Sequence, residues 1–335
     1  MKVKSVYIEI TNQCNLNCRT CYNRSGLNRQ RQELSIDQIQ EIIDIFQTQY
    51  GCERFLFSGG EPTLHSEFGA LLDLIDSHPD LHFGITTNGT TENEDLLKLL
   101  ARREDFDLQV SLDGSCEEQN ARTRGAGNFE KALSFIRRIH QSSGQKPRLK
   151  MVISQQNMDD VAAFYALALE LNCTPEFAFI YRSGNGMDNW EEKALPDEQK
   201  SRLSRQIEQL NRQFGVEAVL PLCTFGCSFI GSLNALSLCI KVDGSIQPCQ
   251  SLYNAAYTVG NALAFHATEF ESGMERIAFI AQERKKQDYG CERCLLNGHC
   301  SKGCMAAAVL LHDDPLADDG DCLLRKISAL KTIRG

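Results

Sequence analysis

Three cysteines fall within eight positions near the start of the chain, Cys14-x3-Cys18-x2-Cys21, inside the segment TNQCNLNCRTCYN at residues 11–23. Soft thiolates grouped this way select iron–sulfur clusters, zinc or copper(I). A structural zinc site takes four ligands, and a four-iron cubane is ordinarily held by four thiolates. Supplying only three leaves one iron open to a small molecule, which can be chelated there and handed an electron. A zinc site completed by a distant ligand such as His65 is the plain alternative. A second motif, Ser58-Gly59-Gly60-Glu61-Pro62, offers two glycines that permit close backbone approach and a carboxylate that can accept a hydrogen bond from an ammonium group. Far along the chain, Cys291-x2-Cys294-x5-Cys300-x3-Cys304 is too regular for scattered buried thiols. Alone it would also suit a four-cysteine zinc knuckle. Adding Cys223, Cys227, Cys249 and Cys322 gives eight thiolates, enough for two fully ligated cubanes.

The elements that must position these groups follow from periodicity. Strands are expected at SVYIEI (5–10), RFLF (54–57), HFGITT, FDLQVSL, RLKMVIS and EFAFIYR, with helices in the intervals between them. In the first helix Ser35 and Gln38 form a capping-box pair, ahead of an apolar stripe of Ile36, Ile39, Ile42, Ile43 and Phe46. Six strands with helical crossovers and no hairpin among them imply an α/β fold with a parallel sheet, either an open doubly wound sheet or an incomplete (β/α) barrel. Both place ligands at the carboxyl ends of the strands. The cysteine loop, SGGEP, TTNG, SLDG and YRSGNG all directly follow strand ends, so they share one rim. Polar, Gly- and Pro-broken sequence after residue 185 marks a boundary. Three units are expected: 1–187, a bridging helical segment 188–218 with Leu203, Ile207, Leu210 and Phe214 on one face, and a cysteine-rich unit 219–335. Few clear helices are expected beyond residue 220, and Asp243-Gly244 reads as a tight hairpin turn.

Composition sets outer bounds. The 335 residues are 42% apolar and 24% charged, ordinary for a globular chain. No apolar run nears the roughly 18 residues of a membrane span, and the start has no signal-peptide core. A cytoplasmic location is expected, where the 15 cysteines would stay reduced and read as metal-binding or catalytic. A net charge of −9 argues against nucleic acid or an anionic membrane as the main partner.

At the cysteine loop and SGGEP the chain resembles the radical S-adenosylmethionine (SAM) superfamily, whose mark is CxxxCxφC after the first strand of a partial (β/α)6 TIM barrel and a GGEP-like turn after the second. The resemblance implies that Cys14, Cys18 and Cys21 hold a [4Fe–4S] cluster. Its open iron would bind SAM, and reductive cleavage would yield a 5′-deoxyadenosyl radical. Gly59, Gly60 and Glu61 would hold the methionine amine. Thr20, which stands where the family usually has an aromatic residue, would make a backbone contact. Thr87 and Asn88 would line the adenosine side, Ser111 would bond the ribose or carboxylate, and Arg124 would reach the SAM carboxylate. Strand-end capping for Ser111 and a solvated surface charge for Arg124 are the bland alternatives.

The second half resembles the SPASM extension of radical SAM enzymes that modify peptides and proteins, through Gly244-x4-Cys249, the run from Cys291 to Cys304, and Cys322. The resemblance implies two auxiliary [4Fe–4S] clusters. One would be held by Cys223, Cys227, Cys249 and Cys304, the other by Cys291, Cys294, Cys300 and Cys322. The gap before Gly244 is longer than the family's and contains Cys239, so which of Cys223, Cys227 and Cys239 ligates stays open. Sulfatase-maturing relatives carry an aspartate after the cysteine of G-x4-C. Gln250 stands there instead, and an amide cannot act as that base.

The function implied is hydrogen abstraction from a ribosomally made peptide, giving a cross-link, an epimerised residue or an oxidation. With the first strand starting within about five residues of the start, leader recognition would fall to a separate protein or to the catalytic units, and a flavodoxin or ferredoxin-type protein would donate electrons. Other readings are a radical dehydrogenase acting on a small molecule such as an aminosugar, a multi-cluster electron-transfer protein, and a zinc-stabilised binding module. Cys52, Cys116 and Cys173 are expected as small buried hydrophobes, with hydrogen-atom donation to a substrate radical the sharper reading. Tyr181 and Arg182 are expected on the rim.

Overall fold

The structure is a computed structural model describing residues 1–27, 30–216, 218 and 233–326. Cys223 and Cys227 lie outside the described residues. Six strands, β1 (Val3–Thr11), β2 (Arg54–Gly59), β3 (His82–Thr87), β4 (Asp107–Ser111), β5 (Arg148–Ile153) and β6 (Thr174–Phe179), pair in parallel in chain order. Helices α1 (Ile36–Tyr50), α2 (Phe68–Asp76), α3 (Glu94–Arg102), α4 (Glu117–Arg124), α5 (Phe129–Ser142) and α6 (Val161–Glu170) form the crossovers. The order runs 6-5-4-3-2-1 without a reversal. A doubly wound sheet needs such a switch point, so the architecture is the partial barrel.

Alternation along the strands shows which face meets the helices. Val6, Ile8 and Ile10 of β1, Leu108 and Val110 of β4, and Leu149, Met151 and Ile153 of β5 join the helix side chains in the apolar core. The opposite positions carry Tyr7, Glu9, Gln109, Arg148 and Lys150. On that inner face Arg148 bridges Asp107 and Glu176 at 2.6 and 2.5 Å, and Lys150 meets Glu176 at 2.9 Å. The concave face of the sheet is therefore polar, and the strands alternate where a parallel sheet buried on both faces would read as continuous apolar runs. At the start of α1 the Ser35 side chain accepts from Gln38 N while Gln38 Oε1 accepts from Ser35 N, the reciprocal cap expected from sequence.

Beyond the barrel come α7 (Trp190–Lys193) and α8 (Asp197–Phe214), with Leu203 and Ile207 buried and Phe214 exposed. Strand β7 (Leu236–Ile240) then pairs in parallel with β1, and β8 (Ile246–Gln247) pairs antiparallel with β7 across the Asp243-Gly244 turn. Gly244 sits at φ 83°, as that turn requires. The expectation of few clear helices after residue 220 needs correction. Helix α9 (Ala267–Lys286) runs for 20 residues, and α10 (Met305–His312) follows the last of the regularly spaced cysteines. The stripe of α9, Phe270, Met274, Ile277 and Ala281, was obscured because its buried face ends on a charge, the fully buried Arg284. Among the described residues no helix is long and apolar enough to cross a membrane.

Candidate functional site

The rim at the carboxyl ends of the strands is built around the loop that follows β1. Two backbone bonds fasten SGGEP to it: Gly60 N donates to Thr11 O and Glu61 N to Gln13 O, both at 2.7 Å. A Cβ on Gly60 would collide with the carbonyl oxygen of Gln13, and one on Gly59 with that of Thr11. The glycines are thus needed first for the contact between the two loops. Gly60→Ala should force the loops apart and cost about 1–3 kcal/mol. Thermal unfolding of the metal-free protein checks this, and an unchanged melting temperature would refute it.

Glu61 is buried and joins the ends of β2 and β3. Its Oε1 accepts from Thr87 Oγ1 and Thr63 Oγ1 at 2.7 and 2.8 Å, and its Oε2 from Asn88 N at 2.7 Å. Burial pushes its carboxyl upward from the ordinary value, opposed by these donors. Of the roughly four acceptor directions of a carboxylate, these contacts leave one on Oε2. Asn88 Nδ2 in turn donates to Asn15 Oδ1 inside the cysteine loop at 2.8 Å.

A third strand end reaches the loop through Asp113, which is fully buried. Its carboxylate accepts from Val152 N at 2.9 Å, Thr123 Oγ1 at 3.2 Å and Thr20 Oγ1 at 3.4 Å. Arg124 Nε lies 3.0 Å from Asp113 Oδ2 without an aligned N–H, and Arg124 Nη2 donates to Asp113 Oδ1 at 3.5 Å, so the ion pair carries one long hydrogen bond. Arg124 Nη1 reaches to 4.0 Å from Cys18 Sγ. Arg124 is therefore no solvated surface charge: it is a buried cation beside a cysteine. Its helix, α4, was missed in the sequence because EEQNARTR has no apolar stripe. Ser111 ends β4, half-buried.

The loop after β6 closes the ring, a role sequence reasoning did not find. Asn185 N donates to Cys21 O, and its Nδ2 donates to Cys18 O, both at 2.8 Å. Ser183 Oγ donates to Tyr22 O at 2.7 Å, and Gly184, at φ 54°, leaves no room for a Cβ against the carbonyls of Cys21 and Tyr22. The findable signal was the pairing of Gly with Asn at a strand end, SGNG. Of the rim pair expected next to it, Tyr181 is exposed and Arg182 donates to Leu311 O at 3.1 Å, tying the rim to α10.

Within this frame the three thiols are half-buried. Burial pushes Cys14 up to about 12 and Cys18 up to about 11, with the charges of the neighbouring cysteines adding to the rise in both and Arg124 opposing it at Cys18. Three half-buried thiols on one loop, with the Arg124 guanidinium beside Cys18, suit an anionic metal cluster. Among the described residues no three His, Cys, Asp or Glu side chains converge on a single ion position. His65 is no partner for a zinc ion, because its Nε2 is bonded to Leu34 O at 2.8 Å and its Nδ1 accepts from Glu67 N at 3.1 Å.

The other cysteines divide by place. Cys291, Cys294, Cys300 and Cys322 line one small cavity. Cys304 is not among its lining residues; it lies instead near enough to Cys249 to help raise that thiol, which burial chiefly pushes up to about 12. Asp319 links the two groups, accepting from Cys304 N at 2.7 Å and pairing with Arg325 of the cavity wall at 2.6 and 2.7 Å. Cys239 is buried in β7, Cys52 and Cys173 are fully buried, and Cys116 is exposed, which corrects the expectation of burial for it. Its place as the residue just before α4, at the surface end of a polar helix, accounts for that. Gln250 is exposed.

Comparison with known proteins agrees with this geometry. Residues 8–168 match the family described as the radical SAM superfamily. The chain is 29% identical over 317 residues to the mycofactocin maturase MftC of Mycolicibacterium smegmatis, covering 89% of this chain and 77% of that protein. It is 24% identical over 256 residues to the sporulation killing factor maturation protein SkfB of Bacillus subtilis, covering 73% and 60%. In fold it is similar to anSMEcpe with bound AdoMet, with a TM-score of 0.79, 18% identity, and coverage of 100% of this chain and 94% of that one. It is also similar to Streptococcus suis SuiB bound to the precursor peptide SuiA, with a TM-score of 0.75, 17% identity, and coverage of 96% and 76%. With the three-thiol rim loop and the partial barrel, the match shows that the chain carries a radical SAM domain over residues 8–168.

Proposed function

We propose that the protein is a radical SAM maturase that modifies a ribosomally made peptide by hydrogen abstraction. The observation that carries the chemistry is the rim loop of Cys14, Cys18 and Cys21, locked by backbone bonds to Gly59-Gly60-Glu61 and faced by Arg124. When bound there, a [4Fe–4S] cluster with SAM on its open iron supplies a one-electron cleavage of the sulfonium and hence a 5′-deoxyadenosyl radical. The remaining work belongs to the chain. Cys14, Cys18 and Cys21 hold three irons; Gly59, Gly60 and the free acceptor direction of Glu61 receive the amine. Arg124 would offset negative charge at Cys18 and, with Ser111, would hold the carboxylate and ribose of SAM. Thr87 and Asn88, fixed by Glu61, and the backbone of Thr20, fixed through Asp113, shape the adenosine side.

Cys291, Cys294, Cys300 and Cys322, around their shared cavity, are proposed as ligands of one auxiliary cluster, and Cys249 and Cys304 with Cys223 and Cys227 as ligands of the other. Cys239, buried in β7 and near enough to Cys249 to feel its charge, is the alternative to Cys223 or Cys227 in that set. The three units 1–187, 188–218 and 219–335 are retained as functional divisions. A peptide substrate is supported by the sequence relatives, which are named as maturases; the aminosugar reading has no such support. A separate leader-recognition protein and a flavodoxin or ferredoxin-type electron donor complete the proposed set of partners.

Anaerobic reconstitution should load about twelve irons per chain, and reduction with SAM should release 5′-deoxyadenosine. Co-expression with short peptides encoded nearby should then give a product lighter by about two mass units, or one that takes up deuterium without other change. Tightly bound zinc without iron would overturn the enzyme reading. Deoxyadenosine release with every such peptide unmodified, but a small molecule consumed, would overturn the substrate class.

A further inference from the structure

Lys302 stands between the third and fourth of the regularly spaced cysteines, in Cys300-Ser301-Lys302-Gly303-Cys304. It lines the cavity of Cys291, Cys294, Cys300 and Cys322 and is only 5% exposed. Its Nζ donates to Asn297 Oδ1 at 2.5 Å, a neutral partner on the same wall. Among the described residues no carboxylate forms an ion pair with it. Asp318 also lines the cavity but lies beyond pairing range, and the charge of Arg325 is taken up by the bidentate contact with Asp319. The backbone of Lys302 is at φ 64°, a conformation that residues with a side chain seldom adopt, and its carbonyl is held by the buried Arg284 at 2.7 Å.

A buried ammonium without a counter-anion is costly, and here it is kept in place at the further expense of a strained backbone. The missing anion follows from the four thiols facing the same space. Four thiolates outweigh the positive charge of a cubane core, so the assembled cluster is anionic and becomes more so when it takes up one electron. A fixed cation beside it favours the reduced form.

We infer that Lys302 is the countercharge of an iron–sulfur cluster held by Cys291, Cys294, Cys300 and Cys322, and that it raises the reduction potential of that cluster. The inference rests on the proposed cluster at this cavity. Lys302 is a positioning and tuning residue: it ligates no iron and touches no substrate.

The test uses the full chain, reconstituted anaerobically and titrated with dithionite while paramagnetic resonance is recorded. The signal of this site is the component lost in Cys294→Ala. In Lys302→Met that component should titrate at least about 59 mV lower, a tenfold shift of a one-electron equilibrium, and Lys302→Arg should restore most of the difference. An unchanged potential in Lys302→Met, or an equal fall in both variants, would overturn the role. Should Lys302→Met lose about four irons while Lys302→Arg keeps them, the countercharge role is supported through assembly; loss in both would overturn it. The cluster proposal fails separately: Cys294→Ala would then remove neither iron nor any resonance component from the wild-type pattern.

Discussion

Replacing Cys18 with alanine should reduce 5′-deoxyadenosine formation to background and lower the iron content by about four per chain. Cys18 is the middle of the three rim thiols, and it is tied in twice over. Its carbonyl accepts from Asn185 Nδ2 at 2.8 Å, and its sulfur has the buried guanidinium of Arg124 at 4.0 Å. The backbone bond survives the substitution, so the loop should keep its path and the protein its melting temperature within a few degrees. Loss of activity without loss of folding is the expected pair of results. A Cys18→Ala protein that still cleaves SAM at the wild-type rate would end the assignment of this loop.

Asp113→Ala should have the largest effect on stability, about 3–5 kcal/mol, because it leaves a buried cation uncompensated. Arg124 and Asp113 are 10% and 0% exposed, so water cannot replace the lost partner. The same substitution frees Val152 N, Thr123 Oγ1 and Thr20 Oγ1 of their shared acceptor. Asp113→Asn keeps an oxygen for Val152 N but removes the charge, and should lose less. Denaturant unfolding of the metal-free chains measures both. A loss below about 1 kcal/mol for Asp113→Ala would mean that Arg124 finds another counterion.

The sequence made the barrel readable because its strands and helices have sharp, separate periodicities, and because glycine, asparagine and serine mark the strand ends where chemistry collects. The capping box at Ser35 and the turn at Asp243-Gly244 are local signals, set by residues two or three positions apart. What escaped depends on contacts between distant segments. Asp113 looks like a turn aspartate in SLDG until β5 and α4 are folded against it. Asn185 looks like a linker residue until it meets the carbonyls of Cys18 and Cys21, 167 and 164 positions away. Glu61 reads as a ligand carboxylate, yet most of its acceptor capacity serves Thr63, Thr87 and Asn88. Helix α9 failed for another reason: its buried face carries Arg284, whose charge is met by the carbonyls of Lys302, Pro315 and Ala317 and by the face of the Tyr289 ring.

The pairing of β7 with β1 has a mechanical consequence. After a register shift between Val3 and Ser5, the ladder is regular from Ser5 opposite Ser237 to Tyr7 opposite Cys239 and Ile8 opposite Ile240. One strand therefore leads to the rim loop at its far end and carries the hairpin toward Cys249 along its flank, with Tyr22 and Tyr253 both donating to Glu9 between them. Any hinge between the two halves would have to tear this ladder. The spacing between the rim loop and the hairpin that leads to Cys249 is set by strand geometry like marks on a ruler, so one half cannot swing against the other there without breaking backbone hydrogen bonds.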